Sequence, residues 1–163
     1  MKCVEYVVRR FHYYSDDITR QVEAHHFCSH ISEDMHQCVI YDSDKPNARL
    51  IGVEYIITDK LFFALPADEK RFWHSHDYEV KSGLLFAPGV PQVAEYPIMN
   101  KLAKTYGKTW HLWQSDRGDP LPYGIPQLMG AFTRDGQINA AMLKGARPDS
   151  HIYRILLYYS IHI

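Results

Sequence analysis

The chain has 163 residues, of which 46% are hydrophobic and 23% are charged, and its formal net charge at pH 7 is −1. These values are typical of a folded domain and exclude a disordered chain, a coiled coil and a disulfide-stapled miniprotein. The balanced charge predicts that nucleic acid is not a partner, while 10 histidines and 12 tyrosines stand out in the composition.

The start of the sequence predicts a cytoplasmic protein. Segment 1–10 has neither an uninterrupted apolar stretch nor a small-residue cleavage site, so it does not resemble a secretory signal peptide. Cys3, Cys28 and Cys38 fit no zinc-site spacing and are expected to be reduced, buried side chains. No run reaches the ~18 apolar residues of a membrane-spanning helix. The longest, 152–163, is predicted to be a core strand or a segment lying at a membrane interface.

The first part of the chain predicts a β-hairpin preceded by a short helix. Segment 15–21 is expected to be helical, and the two strands that follow turn at Glu33. In this register Cys28 faces Cys38 and His30 faces His36. The rival interpretation is a helix that opens at residue 15 or 16 and continues to His30, with apolar and histidine side chains at i, i+4 spacing.

The rest of the chain predicts further strands and short helices. Segment 49–57 is nearly continuous in apolar residues, which is typical of a central strand. The other predicted elements are a helix over 66–73, a strand over 80–86, a helix over 93–105, a strand over 108–114 and an ordered loop over 116–126. The sequence therefore predicts an α+β fold: one domain over 1–163 with a largely antiparallel sheet and a few short helices.

A histidine-rich pattern predicts a metal site for zinc or iron. Two histidines separated by one residue project the same way from an extended segment, about 7 Å apart, and a carboxylate follows closely. Adjacent residues of a strand face opposite sides, so only one of a histidine pair can join them. The candidate ligands are His74, His76, Glu79, His111, His25 and His26. The alternative interpretation is that these imidazoles are hydrogen-bonded histidines of the core.

Other side chains offer weaker candidates. Glu23 and Glu54 are flanked by apolar residues, and each is expected to form a buried ion pair with Arg49, Lys81 or a histidine. A ligand pocket is a further possibility, and its candidates are Trp73, Trp110, Tyr78 and Arg117. The sequence holds no glycine-rich phosphate loop, nucleophile elbow or HExxH motif, so no catalytic residue is predicted.

Several strings along the chain have a familiar form. They are QVEAHHFCSH from residue 21, QCVIYDS from 37, LIGVEY from 50, WHSHDYEVKSG from 73, PGVP from 88, YGKTWH from 106, DRGD from 116 and LPYGIP from 121. Together they closely resemble the oil body-associated protein family over about residues 11–141. The first ten residues and the tail 145–163 depart from the family pattern and carry no functional weight here.

The resemblance implies a role in lipid storage without naming a reaction. The family is defined by a domain of unknown function, and its plant members are found on seed oil bodies. It therefore implies a cytoplasmic protein that attaches peripherally to lipid droplets, for which 61–63, 84–86 and 152–163 are the candidate apolar contacts. The alternative function is a small metal-dependent enzyme or metal-binding protein that uses the histidine-rich site.

Overall fold

A computed structural model of the protein describes residues 4–145 and consists mainly of β-structure. The strands are β1 (Tyr6–Tyr14), β2 (Asp17–Ser32), β3 (Met35–Tyr41), β4 (Leu50–Thr58), β5 (His74–Ser75), β6 (Thr105–His111) and β7 (Gln127–Gly130). The helices are α1 (Asp59–Ala64), α2 (Ala67–Lys70), α3 (Asp77–Ser82), α4 (Gln92–Leu102) and α5 (Ala140–Gly145). The apolar run 152–163 lies outside the described residues.

Six of the strands close into an antiparallel barrel. Their hydrogen-bonded order is β4–β3–β2–β1–β7–β6, and β6 pairs again with β4, so each of the six is bonded on both sides. The short β5 also pairs with β6, at Gly107 and Tyr106, beyond the end of β7. The predicted antiparallel sheet is confirmed, but the α+β class is only roughly right because the helices are short and the barrel dominates.

The predicted hairpin register is confirmed, whereas two predicted elements are wrong. Cys28 pairs with Cys38 and His30 pairs with His36 across β2 and β3. The helix over 15–21 is replaced by a turn at 15–16 and the start of β2, in which Val22, Ala24, His26 and Cys28 follow the two-residue period of a strand and are all buried. The strand over 80–86 is instead α3, which ends at Gly83 with a left-handed φ of 71°, followed by an irregular segment.

Two of the three cysteines are joined rather than reduced. Cys28 and Cys38 form a disulfide between β2 and β3, with their Cα atoms 4.1 Å apart. The expectation of free, buried thiols fails here because the hairpin places the two residues directly opposite each other. Cys3 lies outside the described residues.

Apolar layers surround the barrel interior at its ends and on its outer side. One cluster fills the end where β1 stops and consists of Tyr14, Val22, Ala24, Ile40, Ile51 and Met129. A second packs α3 and α4 against β1 and consists of Val8, Val80, Leu85, Ala87, Met99 and Leu102. The middle of the interior, between these layers, is polar. Within residues 4–145 none of the helices combines the length and the apolar character needed to cross a bilayer.

Candidate functional site

The middle layer of the barrel interior holds a dense cluster of ionisable side chains. We call it the interior cluster. Its members are almost wholly removed from solvent, although charged and histidine side chains are rarely buried unless they are paired. They are Arg10, His12, His26, Glu54, His74, His76, Glu79, Thr109 and His111.

Strand alternation explains why most of these side chains point inward. Residues two apart on a strand share a face, so Arg10 and His12 of β1 both enter the barrel. Glu54 of β4 is directly opposite Thr109 of β6, whose hydroxyl donates a 2.8 Å hydrogen bond to Glu54 Oε1. His26 of β2 and His111 of β6 also point inward, and the segment from β5 into α3 supplies His74, His76 and Glu79 from beyond the end of β7.

Arg10 organises one half of the interior cluster. Its Nη1 donates to Glu54 Oε1 at 3.0 Å and to His76 Nε2 at 2.8 Å. Its Nη2 donates to His74 Nε2 at 2.8 Å and lies 2.8 Å from Glu79 Oε2. A guanidinium can only donate, so both imidazole Nε2 atoms must accept and both rings are neutral. One arginine therefore joins two carboxylates and two histidines.

The two carboxylates of the cluster have opposite pKa shifts. Burial alone would raise the pKa of Glu54, but the positive charge of Arg10 holds it well below its usual range. Burial raises the pKa of Glu79 to about 8, more than the nearby Arg10 lowers it. Glu54 is thus the permanent anion of the site, and Glu79 is a carboxyl group that changes charge near neutral pH.

Burial also keeps the histidines of the cluster uncharged. It lowers the pKa of His76 and of His111 to about 3, with the charge of Arg10 adding to the effect at His76. The same cause, followed by Arg10, lowers the pKa of His12 well below its ordinary value. Neutral imidazoles are the form that accepts hydrogen bonds and binds metals.

His12 and His26 form the other half of the interior cluster with Glu54. His12 Nδ1 is 2.9 Å from His111 Nε2, and the rings of His12 and His26 meet edge to face with centroids 5.0 Å apart. His26 Nε2 lies 3.2 Å from Glu54 Oε2. The cluster contains two groups of three residues that could hold a metal ion, and within each group the ligand atoms lie within 4.8 Å of one another. One group is His12, His26 and Glu54, and the other is Glu54, His74 and His76.

The interior cluster contains most of the candidate ligands that the sequence suggested. His74, His76, Glu79, His111 and His26 all belong to it, whereas His25 lies on the other face of β2 and bonds Glu23 at 3.0 Å. Sequence reasoning missed Arg10 and His12. Their only signal was their spacing of two in a strand that had not been assigned.

The remaining candidates make separate contacts. Trp73 donates its indole N–H to Glu69, Tyr78 donates to Asp135, and Arg117 pairs with Asp119. Trp110 lies between Thr109 and His111, whose side chains point inward, so its own side chain faces outward. Arg49 and Lys81 pair with Asp42 and Asp77 instead of with these two carboxylates. Glu23 is only partly buried and lies against Arg9 and His25, whereas the buried Glu54 pairs with Arg10 and lies 3.2 Å from His26.

Gly107 makes room for the interior cluster. A Cβ at this position would lie 2.7 Å from Nε2 of both His74 and His76 and would overlap the carboxylate of Glu54.

We therefore expect Gly107→Ala to lower the free energy of unfolding by about 1–3 kcal/mol, as overpacking does in other cores. Urea unfolding followed by circular dichroism measures it. The neighbouring outward residue gives the control, Lys108→Ala, and equal losses in the two variants would contradict the steric argument.

The sequence matches a protein family whose biochemical activity is unknown. The family model described as a protein of unknown function, DUF1264, matches residues 1–153. Oil body-associated protein 1B of Arabidopsis thaliana is 57% identical over 136 residues, covering 83% of this chain and 56% of the relative. Oil body-associated protein 1A of Zea mays is 58% identical over 128 residues, covering 78% of this chain and 54% of the relative.

A second type of relative is somewhat more distant. Oil body-associated protein 2B of Zea mays is 50% identical over 137 residues, covering 83% of this chain and 55% of the relative. The chain thus spans about half the length of the curated relatives it matches. No solved structure is similar enough to count as a match.

Proposed function

The chain belongs to the DUF1264 family, which includes the oil body-associated proteins, and on this premise we propose that it attaches peripherally to the surface of oil bodies from the cytoplasm. The single observation that carries this proposal is the name shared by its relatives, which are 45–58% identical to it. The structure supports the proposal with an exposed apolar surface at one end of the barrel.

That surface is the loop that joins β6 to β7. Three of its side chains, Leu121, Tyr123 and Ile125, are 54%, 50% and 76% exposed. Prolines at 120, 122 and 126 restrict the backbone around them, and the indole N–H of Trp113 donates to the carbonyl oxygen of Asp119 at the base of the loop. We call residues 121–125 the apolar loop. An ordered loop that presents three apolar side chains to water is suited to insertion into a lipid surface.

The barrel topology places further apolar side chains at the same end. β1, β3 and β6 end there and β2, β4 and β7 begin there, so their connecting loops share one side of the molecule. Leu50 at the start of β4 and Leu112 just after β6 are both exposed. Burying each such side chain contributes about 1.5–3 kcal/mol, enough for reversible attachment when several act together.

The sequence-derived docking candidates have different outcomes. Leu84 and Leu85 are buried in the core, so the segment 84–86 is not an apolar contact for lipid. Phe63 on α1 is 66% exposed, but it lies beyond the end of β4, at the opposite end of the barrel from the apolar loop. The segment 152–163 lies outside the described residues.

We expect the variant Leu121→Ser/Tyr123→Ser/Ile125→Ser to lose at least about tenfold in droplet binding, because each replacement removes apolar area that the lipid would cover. The measurement is flotation of the purified protein with triacylglycerol droplets coated with phosphatidylcholine. Wild-type binding should survive 0.5 M salt, since an apolar contact is not screened.

The matched control is Phe63→Ser, which removes an equally exposed side chain at the opposite end of the barrel. It should float like the wild type. Unchanged flotation of the triple variant, or release of the wild type by salt, would contradict attachment through the apolar loop.

A further inference from the structure

The side chains of His12, His26 and Glu54 share an arrangement that hydrogen bonding inside the barrel does not explain. Each contributes one ligand-type atom to a set within 4.8 Å, and all three are at most 1% exposed. His12 Nε2, His26 Nε2 and Glu54 Oε2 have no hydrogen-bond partner among the described residues, although His26 Nε2 lies 3.2 Å from Glu54 Oε2. Buried polar atoms are normally satisfied, so three orphaned atoms that converge require a reason.

In the other possible set, Glu54 with His74 and His76, the ligand atoms already bond to a cation. The guanidinium of Arg10 donates to Glu54 Oε1 and to Nε2 of both histidines. A metal ion would have to displace it to reach the same atoms. Arg10 and Thr109 both donate to Oε1 of Glu54, so its Oε2 remains for a different partner.

The surroundings of His12 fit the role of a metal ligand. Its Nδ1 is bonded to His111 Nε2 at 2.9 Å, and when Nδ1 donates, the unpartnered Nε2 keeps a lone pair that can bind a metal ion. Metal-binding histidines commonly have their second nitrogen fixed in this way by a neighbouring group. His26 approaches from the adjacent strand and Glu54 from across the barrel, so three separate strands hold the set in place.

We propose that His12, His26 and Glu54 bind one divalent transition-metal ion inside the barrel. Two imidazoles and a carboxylate are the ligands that zinc and iron(II) prefer, and three protein ligands leave coordination positions open. His111 is the positioning residue that orients His12. This inference concerns the interior of the barrel and does not depend on attachment to oil bodies.

The test measures cobalt(II) and zinc(II) binding by the untagged chain. Protein is taken from metal-supplemented cultures and also refolded from urea with either ion, then freed of loose metal by gel filtration. We expect about one ion per chain by elemental mass spectrometry and visible absorption from the cobalt form. Less than a tenth of an ion per chain from both preparations would overturn the proposal.

Two adjacent histidines of β2 provide matched variants. His26→Gln should weaken metal binding at least about 100-fold, whereas His25→Gln, which changes the outward face, should retain it. His111→Gln should weaken binding about 10–100-fold, as loss of an outer-shell partner does. Circular dichroism of the metal-free proteins shows whether each variant is folded, and Glu54→Gln serves as the second ligand variant.

His74→Gln separates the two sets of ligand atoms. It should bind metal as the wild type does, because His74 bonds Arg10 in this structure. Loss of the ion in His74→Gln together with its retention in His26→Gln would overturn the assignment in favour of the other set.

Discussion

Replacing Arg10 with methionine should lower the free energy of unfolding by about 3–5 kcal/mol, the range found when one partner of a buried ion pair is removed. The guanidinium is 1% exposed and contacts Glu54 and Glu79, so the variant would leave an unpaired carboxylate inside the barrel. It would also remove the N–H groups of Arg10 that donate hydrogen bonds to His74 and His76. Urea unfolding at pH 7, followed by circular dichroism, measures the loss.

The control for this variant is Arg49→Met. Arg49 also pairs with a carboxylate, that of Asp42, but its side chain is 40% exposed, so the pair is solvated and screened. Such surface pairs contribute less than about 1 kcal/mol. If the Arg10 variant were no less stable than the Arg49 variant, Arg10 would not be the organising cation of the interior cluster.

Stability should also fall steeply as the pH is lowered from 7 to 5. His12, His26, His74, His76 and His111 have pKa values lowered by burial, so the folded state keeps them neutral. The unfolded chain protonates them near pH 6.5 and therefore binds more protons than the folded chain below that pH. Stability is present above pH 6.5 and is lost as the pH falls, by about 5 kcal/mol in total at pH 5.

Glu79 has the opposite effect on the alkaline side. Its pKa is raised to about 8 by burial, so the folded state retains a proton that the unfolded state releases above about pH 4.5. Stability due to this group falls as the pH rises to 8, and maximum stability is expected between pH 6.5 and 7. Unfolding midpoints in urea, measured with a chelator from pH 5 to 9, test both slopes.

Two variants separate the contributions to the pH profile. Glu79→Gln should flatten the decline between pH 6.5 and 8 and leave the acid side steep. His76→Gln, which removes one histidine kept neutral by burial, should reduce the acid slope and leave the decline on the alkaline side in place. A profile that is flat from pH 5 to 7 would show that the interior histidines are not kept neutral by the fold.

The sequence was informative where the signal was local. The register of the β2–β3 hairpin followed from the short cluster around Glu33, and the strand over 49–57 followed from its apolar content. The α+β expectation overestimated the helices because Ile18 and Val22 are spaced like residues of a helix, whereas β2 continues through both of them. Closure of the barrel could not be predicted, since the pairing of β4 with β6 depends on contacts that leave no local pattern.

The same distinction holds for the interior cluster. The spacing of His74 and His76 marked them as a pair, and both do enter the cluster. The role of Arg10 could not be predicted, because nothing in the neighbouring sequence distinguishes this buried arginine from an arginine on the surface. Glu54 was recognised as a carboxylate expected to be buried with a partner, a histidine being one of the options, but its position between two groups of histidines depends on the folded barrel.

Closure of the barrel has a consequence for how the chain is made. β1 leaves the ribosome well before its partner β7, which lies far along the sequence, and the two meet where Tyr14 pairs with Met129. Until then the interior side chains remain hydrated, and both β1 and β6 have an unpaired edge available to other chains. Such distant pairings are formed slowly, on the millisecond to second scale. The growing chain is therefore most prone to aggregation just before β7 is synthesised.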